Sequence, residues 1–102
     1  MSRRRLPNRR RSEVVTFSHE GFSYRGSLSR FGDGGLAEVF LHAGKQDTSV
    51  AAAAHDVAVA ASLALQHGCP SETLRKALLR LSNGGAAGPL GALLDLVDED
   101  RQ

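Results

Sequence analysis

Residues 48–68 read TSVAAAAHDVAVAASLALQHG, and how this stretch is read decides the fold. At 100° per residue, Val50, Ala54, Val57, Ala58, Ala61, Ala64 and Leu65 share one face of a helix, while Ala52, Val59 and Leu63 lie nearly opposite. The polar positions form two narrow strips, His55/Ser62/Gln66 and Ser49/Asp56/His67. The helix is therefore expected to be central and to touch neighbours on both apolar faces. Its alanines let another backbone approach closely, and a layer of strands is the expected neighbour. Asp47, Thr48 and Ser49 are the N-cap candidates, Gly68 is the expected C-cap, and Pro70 prevents continuation.

Working back toward the N-terminus, three stretches carry strand periodicity. From Glu13 to Ser18, Val15 and Phe17 alternate with Val14 and Thr16, and Glu20-Gly21 then offers a turn. From Phe22, one face holds Phe22, Tyr24, Gly26 and Leu28, and the other holds Ser23, Arg25, Ser27 and Ser29. Phe31 breaks that alternation, as a bulge or a strand end does. Gly32-Asp33-Gly34-Gly35 forms a tight connection to a third strand, Leu36 to His42. There Ala37, Val39 and Leu41 face one way and Leu36, Glu38, Phe40 and His42 the other, which predicts a central position or a covering partner. The three strands make an antiparallel meander.

Downstream of Pro70, a second helix is expected over Glu72–Leu81, capped by Ser71. It would bury Leu74, Ala77, Leu78 and Leu81 and leave Lys76 and Arg80 wet. Ser82 to Pro89 reads as a flexible glycine-rich loop, and a short helix follows from Pro89 to about Val97, with Leu90, Leu93, Leu94 and Val97 on one face. The fold class is α+β in two layers: a three-stranded meander, a long central helix and two shorter helices.

A chain of 102 residues supports one small domain with a single core. Phe17, Phe22, Tyr24, Phe31 and Phe40 all fall in the first half, so the core is expected to be aromatic on the sheet side and aliphatic on the helix side. The organisation read from composition is a disordered arginine-rich arm over residues 1–12, one domain over residues 13–98, and an acidic, polar tail over residues 99–102. The arm holds Arg3, Arg4, Arg5, Arg9, Arg10 and Arg11 and no acid. The rest of the chain is thereby left at −4 against +2 overall. Such a charge split suits an anionic partner better than a merely solubilising terminus or a transit peptide. Cys69 is the single cysteine, which excludes an internal disulfide and suits a reducing, cytoplasmic setting. His55 and Asp56 interrupt the longest apolar run, so no membrane partner is expected.

Motifs that would carry chemistry fail on spacing. Gly32–Gly35 joins two strands, whereas a phosphate-binding glycine signature needs a helix N-terminus after it. Gly44-Lys45 lacks the upstream glycine and the following hydroxyl of a phosphate loop. His19, His42, His55, His67, Asp56 and Cys69 show no ligand spacing. Cys69 reads as a structural thiol, since no base can be named beside it. His55 and Asp56 point about 100° apart on a helix and are not expected to work as an intimate pair. No catalytic residue, metal or cofactor is expected.

The run Gly34-Gly35-Leu36-Ala37-Glu38-Val39-Phe40-Leu41, then Asp56 through SLALQHG (residues 62–68), then Ser71 to Leu81, resembles the TSCPD domain family. This is a module near the C-terminus of cobalamin-dependent, class II ribonucleotide reductases that also occurs as short stand-alone proteins. The resemblance spans about residues 22–81. It rests on Glu38 and Phe40 in the third strand and on the helix end before a proline. The Thr-Ser-Cys-Pro-Asp motif that names the family is absent, and one cysteine cannot supply reductase chemistry. The resemblance therefore implies a domain and carries over no catalytic residue.

The leading expectation is a non-catalytic binding module that grips an anionic partner with its arginine arm, assisted by Arg25 and Arg30. Nucleic acid comes first as partner and an acidic protein surface second. One alternative is a protein-interaction module, a homodimer or one docked on a ribonucleotide reductase or other large enzyme, with Leu36, Glu38, Phe40, Val59 and Leu63 at the interface. Another is a reductase accessory domain that binds nucleotide.

Overall fold

The computed structural model describes residues 12–44 and 48–100. Its elements run β1 (Ser12–His19), β2 (Phe22–Arg30), β3 (Leu36–Ala43), α1 (Ser49–Gln66), α2 (Ser71–Ala77) and α3 (Pro89–Asp100). The strands form one antiparallel sheet in the order β1-β2-β3, so the α+β meander with three following helices is observed. The arm at residues 1–11 and the cap candidate Asp47 lie outside the described residues.

Turn chemistry sets the strand register. Glu20 and Gly21 both take positive φ, 51° and 81°, as a two-residue type I′ hairpin requires. The β1–β2 ladder then runs without a break from His19↔Phe22 to Ser12↔Ser29. Between β2 and β3, Asp33 Oδ1 accepts the Gly35 N–H at 2.9 Å and the Gly34 N–H bonds Phe31 O at 2.9 Å. A register shift between Ser29 and Arg30 occurs where the alternation fails. Leu36 and Ala37, though adjacent, are both buried beyond it.

The core joins Tyr24, Leu28, Val39 and Leu41 of the sheet to Ala54, Ala58, Ala61 and Leu65 of α1 and to Leu90, Leu93, Leu94 and Val97 of α3. Gly26 in the middle strand makes room for α3, because a Cβ at that position would come within 2.8 Å of a Leu93 methyl and force that side chain to shift. The sheet side is less aromatic than expected. Only Tyr24 and Phe31 are fully buried, Phe17 and Phe40 are half-buried, and Phe22 is exposed at the hairpin.

Of the two alternatives expected for β3 the central position fails and the covering element is found, while α1 departs from its expected burial on two faces. β3 is an edge strand, and its burial comes from α1 lying along that edge. The alanine face lets the helix approach closely enough for side-chain bonds to the strand. Ser62 Oγ accepts the Val39 N–H at 2.9 Å and donates to Val39 O at 2.8 Å, and Gln66 Nε2 donates to Ala37 O at 3.2 Å. Part of a strip read as polar surface is thus buried. The opposite row is not, with Val59 37% and Leu63 44% exposed, so α1 buries one face only. By length and composition α1 could also cross a membrane, but here it packs on β3.

Both ends of α1 follow capping rules. Thr48 Oγ1 accepts the Ala51 N–H at 3.1 Å. At the other end Gly68, at φ 102°, closes a Schellman turn in which the Cys69 N–H bonds Ala64 O and the Gly68 N–H bonds Leu65 O.

α2 is shorter than its pattern suggested. It stops at Ala77, Ser71 is its first residue without capping it, and the chain extends at Leu78. Ala77 and Leu81 are consequently exposed rather than buried, and Leu79 is 79% exposed. The following segment is an ordered turn that repeats the Phe31–Gly35 design. Asn83 Oδ1 accepts the Gly85 N–H at 2.8 Å, the Gly84 N–H bonds Leu81 O, and Arg80 bridges Ala86. The extension also swings Arg80 out of its expected wet position into a two-pronged pair with Asp95 of α3.

Candidate functional site

Basic side chains were the main functional candidates, and most of those described are committed to the fold. Arg30 Nε bonds Glu13 Oε1 at 3.3 Å and its Nη1 bonds Gly34 O at 3.1 Å. It pins β1 to the β2–β3 turn with only 17% of its side chain exposed, so its expected role in gripping an anion is not supported by its placement. Arg75 contacts Glu72, Asp95 and Asp98, Lys76 contacts Glu72, and Arg80 grips Asp95. The hydrogen bonds from Arg80 hold the Asp95 carboxyl below its ordinary value; partial burial acts the other way, and the charge of Arg80 and the bond and charge of Arg75 add to the lowering.

Arg25 is the exception. Among the described residues it is the only arginine or lysine with no carboxylate partner. It stands exposed on the outer sheet face, opposite the face that packs on α3, with Thr16 of β1 beside it on one flank and His42 of β3 on the other. Ser18 and Ser23 lie one register step toward the hairpin. Together with Gly44 these residues line an open depression of about 520 Å³. A guanidinium ringed by hydroxyls and an imidazole provides donors for an anion, which is the chemistry of phosphate contact.

The remaining candidates are dispersed. Leu36 is a core residue and Glu38 is buried, so neither offers exposed interface surface, while Phe40 is half-buried. Val59 and Leu63 stay one turn apart on the exposed row of α1. Among the described residues no three His, Cys, Asp or Glu side chains come together to hold a metal. His19 Nε2 lies 2.9 Å from Ala86 O, tying the hairpin to the turn before α3, a contact the sequence did not signal. His67 Nδ1 lies 2.8 Å from Leu63 O, and half-buried Cys69 reaches only Pro70 O. His55 and Asp56 do meet, with Nδ1 3.1 Å from Oδ1, contrary to expectation. Both are largely exposed, so their side chains swing together over the solvent surface rather than being held.

Three relatives are vitamin B12-dependent ribonucleotide reductases. That of Agrobacterium fabrum is 34% identical over 70 residues, 69% of this chain and 6% of the relative. That of Streptantibioticus cattleyicolor is 35% identical over 71 residues, 70% of this chain and 12% of the relative. That of Streptomyces coelicolor is 35% identical over 71 residues, 70% of this chain and 7% of the relative. The chain therefore matches only a small part of each relative. No family profile matches it, and no solved structure does.

Proposed function

We propose that this chain, whose kinship with a segment of vitamin B12-dependent ribonucleotide reductases bears out the resemblance read from its sequence, is a non-catalytic cytoplasmic accessory module that binds an anionic partner, nucleic acid first. Its arginine arm supplies most of the charge, and the outer sheet face supplies a docking point at Arg25. The observation that carries this reading is the contrast among cations: four of the five described are neutralised within the fold, and Arg25 is left presented among hydroxyls. The small share of each relative that is matched, together with the single cysteine, supports a non-catalytic role.

Fluorescence anisotropy with labelled mixed-sequence DNA and RNA across a salt series tests it. Six arginines on duplex phosphates give a log–log salt slope of up to about −5. Deleting residues 1–11 should remove most of that slope, and Arg25→Ala should flatten it by about 1 further unit. Binding that ignores salt, or that survives the deletion unchanged, would sink the proposal.

A second reading has one observation in its favour. The relatives carry the matched segment within much longer chains, and the Val59–Leu63 row of α1 is apolar and open. Docking of that row on a larger protein, ribonucleotide reductase included, would appear as lost association in Leu63→Lys with arm-dependent nucleic-acid binding intact.

A further inference from the structure

The two edges of the sheet are treated in opposite ways. On β3, side chains of α1 engage the outward backbone groups of Val39 and Ala37. On β1 none of the described elements does so. The two-residue turn makes His19↔Phe22 a hydrogen-bonded pair, so His19, Phe17, Val15 and Glu13 bond inward to β2. Ser18, Thr16, Val14 and Ser12 must then aim their N–H and C=O groups away from the sheet. Among the described residues none of those backbone groups has a partner.

Nor is this edge blunted as edge strands usually are. β1 is eight residues long and pairs without a bulge, and it holds neither lysine nor proline. Its only acid, Glu13, is drawn back onto β2 by Arg30. Apolar groups flank the open backbone on both faces, with Val14 62% exposed outside and Val15 and Phe17 half-buried inside.

The geometry points to a second copy of this chain as the occupant, joined β1 to β1 in antiparallel fashion across a two-fold axis at Val15, so that two three-stranded sheets become one continuous sheet. The choice of occupant rests on self-complementarity. In this register Ser12 pairs with Ser18 of the partner subunit and Val14 with Thr16 of the partner subunit, and every outward N–H and C=O of the four residues finds a mate. Val15 meets Val15 of the partner subunit, and Glu13 falls opposite Phe17 of the partner subunit, so no like charges face each other. This register sets Ser12 opposite Ser18 of the partner subunit, two residues from Glu20 of the partner subunit, and the sequence before Ser12 carries six arginines and no acid, so the charges are complementary. The interface uses the outward backbone of Thr16 and Ser18, whose side chains also line the depression at Arg25, and it would set two arms on one assembly.

Sedimentation equilibrium over a wide concentration range tests the dimer, and cysteine substitution tests its register. Val15 is a non-hydrogen-bonded pair across the axis, with Cα atoms about 4.5 Å apart, within disulfide reach. Val15→Cys in a Cys69→Ser background should oxidise to a covalent dimer, whereas Val14→Cys should not. Thr16→Pro removes only an outward N–H and should give a monomer with an unchanged circular dichroism spectrum. Val14→Lys, which adds a charge to the edge, should do the same if the proline variant fails to fold. A wild-type monomer at every concentration, a dimer that survives the edge substitutions, or a disulfide at position 14 instead of 15 would each overturn the inference.

Discussion

Ser62 shows how one hydroxyl can decide the placement of a helix. Its oxygen accepts from the Val39 N–H and donates to the Val39 carbonyl, so both outward groups of a buried strand residue are satisfied by a single side chain. Substituting Ser62→Ala leaves those two groups without partners at a buried position. The expected cost is about 2 kcal/mol, read as a lower urea midpoint at unchanged slope. A neutral result would mean that α1 is held by its alanine face alone. Periodicity could not reveal this role, because a serine on a polar strip looks the same whether water or a strand edge satisfies it. Gly26 was equally opaque. It stood in the right row of β2, but only the packing of Leu93 against it explains the missing side chain.

At the scale of elements, what was legible followed from local rules. The hairpin at Glu20-Gly21, the cap at Gly68 and the apolar face of α3 each depend on residues close in sequence. α2 was misjudged because its end depends on a distant group. The helical pattern continues to Leu81, but the chain leaves the helix at Leu78 and Arg80 reaches Asp95, fifteen residues on. That pair has a pH signature. Because the folded state holds the Asp95 carboxyl below its ordinary value, the stabilisation is fully present above the ordinary carboxylate range and is lost as pH falls through the lowered value. Thermal denaturation should therefore show an acid-side decline that is shallower in Asp95→Asn, which is also less stable near neutrality. Identical acid limbs in the two proteins would remove the pair from the account of acid stability.

Taken whole, the molecule has a closed side and an open one. α1 and α3 cover one face of the sheet, α1 also shields the β3 edge, and the outer face with Arg25 and the β1 edge stays accessible. The fold class was readable because alternation, turns and helix faces all agreed. The distribution of accessible surface was not, since it depends on which edge a helix happens to cover. Amide hydrogen exchange can compare the two edges directly. The Val39 and Thr16 N–H groups both point away from the sheet, but the first is bonded to Ser62 and buried while the second is unpaired. In dilute solution Val39 should exchange only through large-scale opening and Thr16 at close to the unprotected rate. If β1 joins a second copy, protection at Ser12, Val14, Thr16 and Ser18 should appear only as concentration rises, whereas Val39 should be protected already in dilute solution. Concentration-independent protection at Thr16 would mean that another part of the same chain covers the edge, and the pairing of two copies would have to be given up.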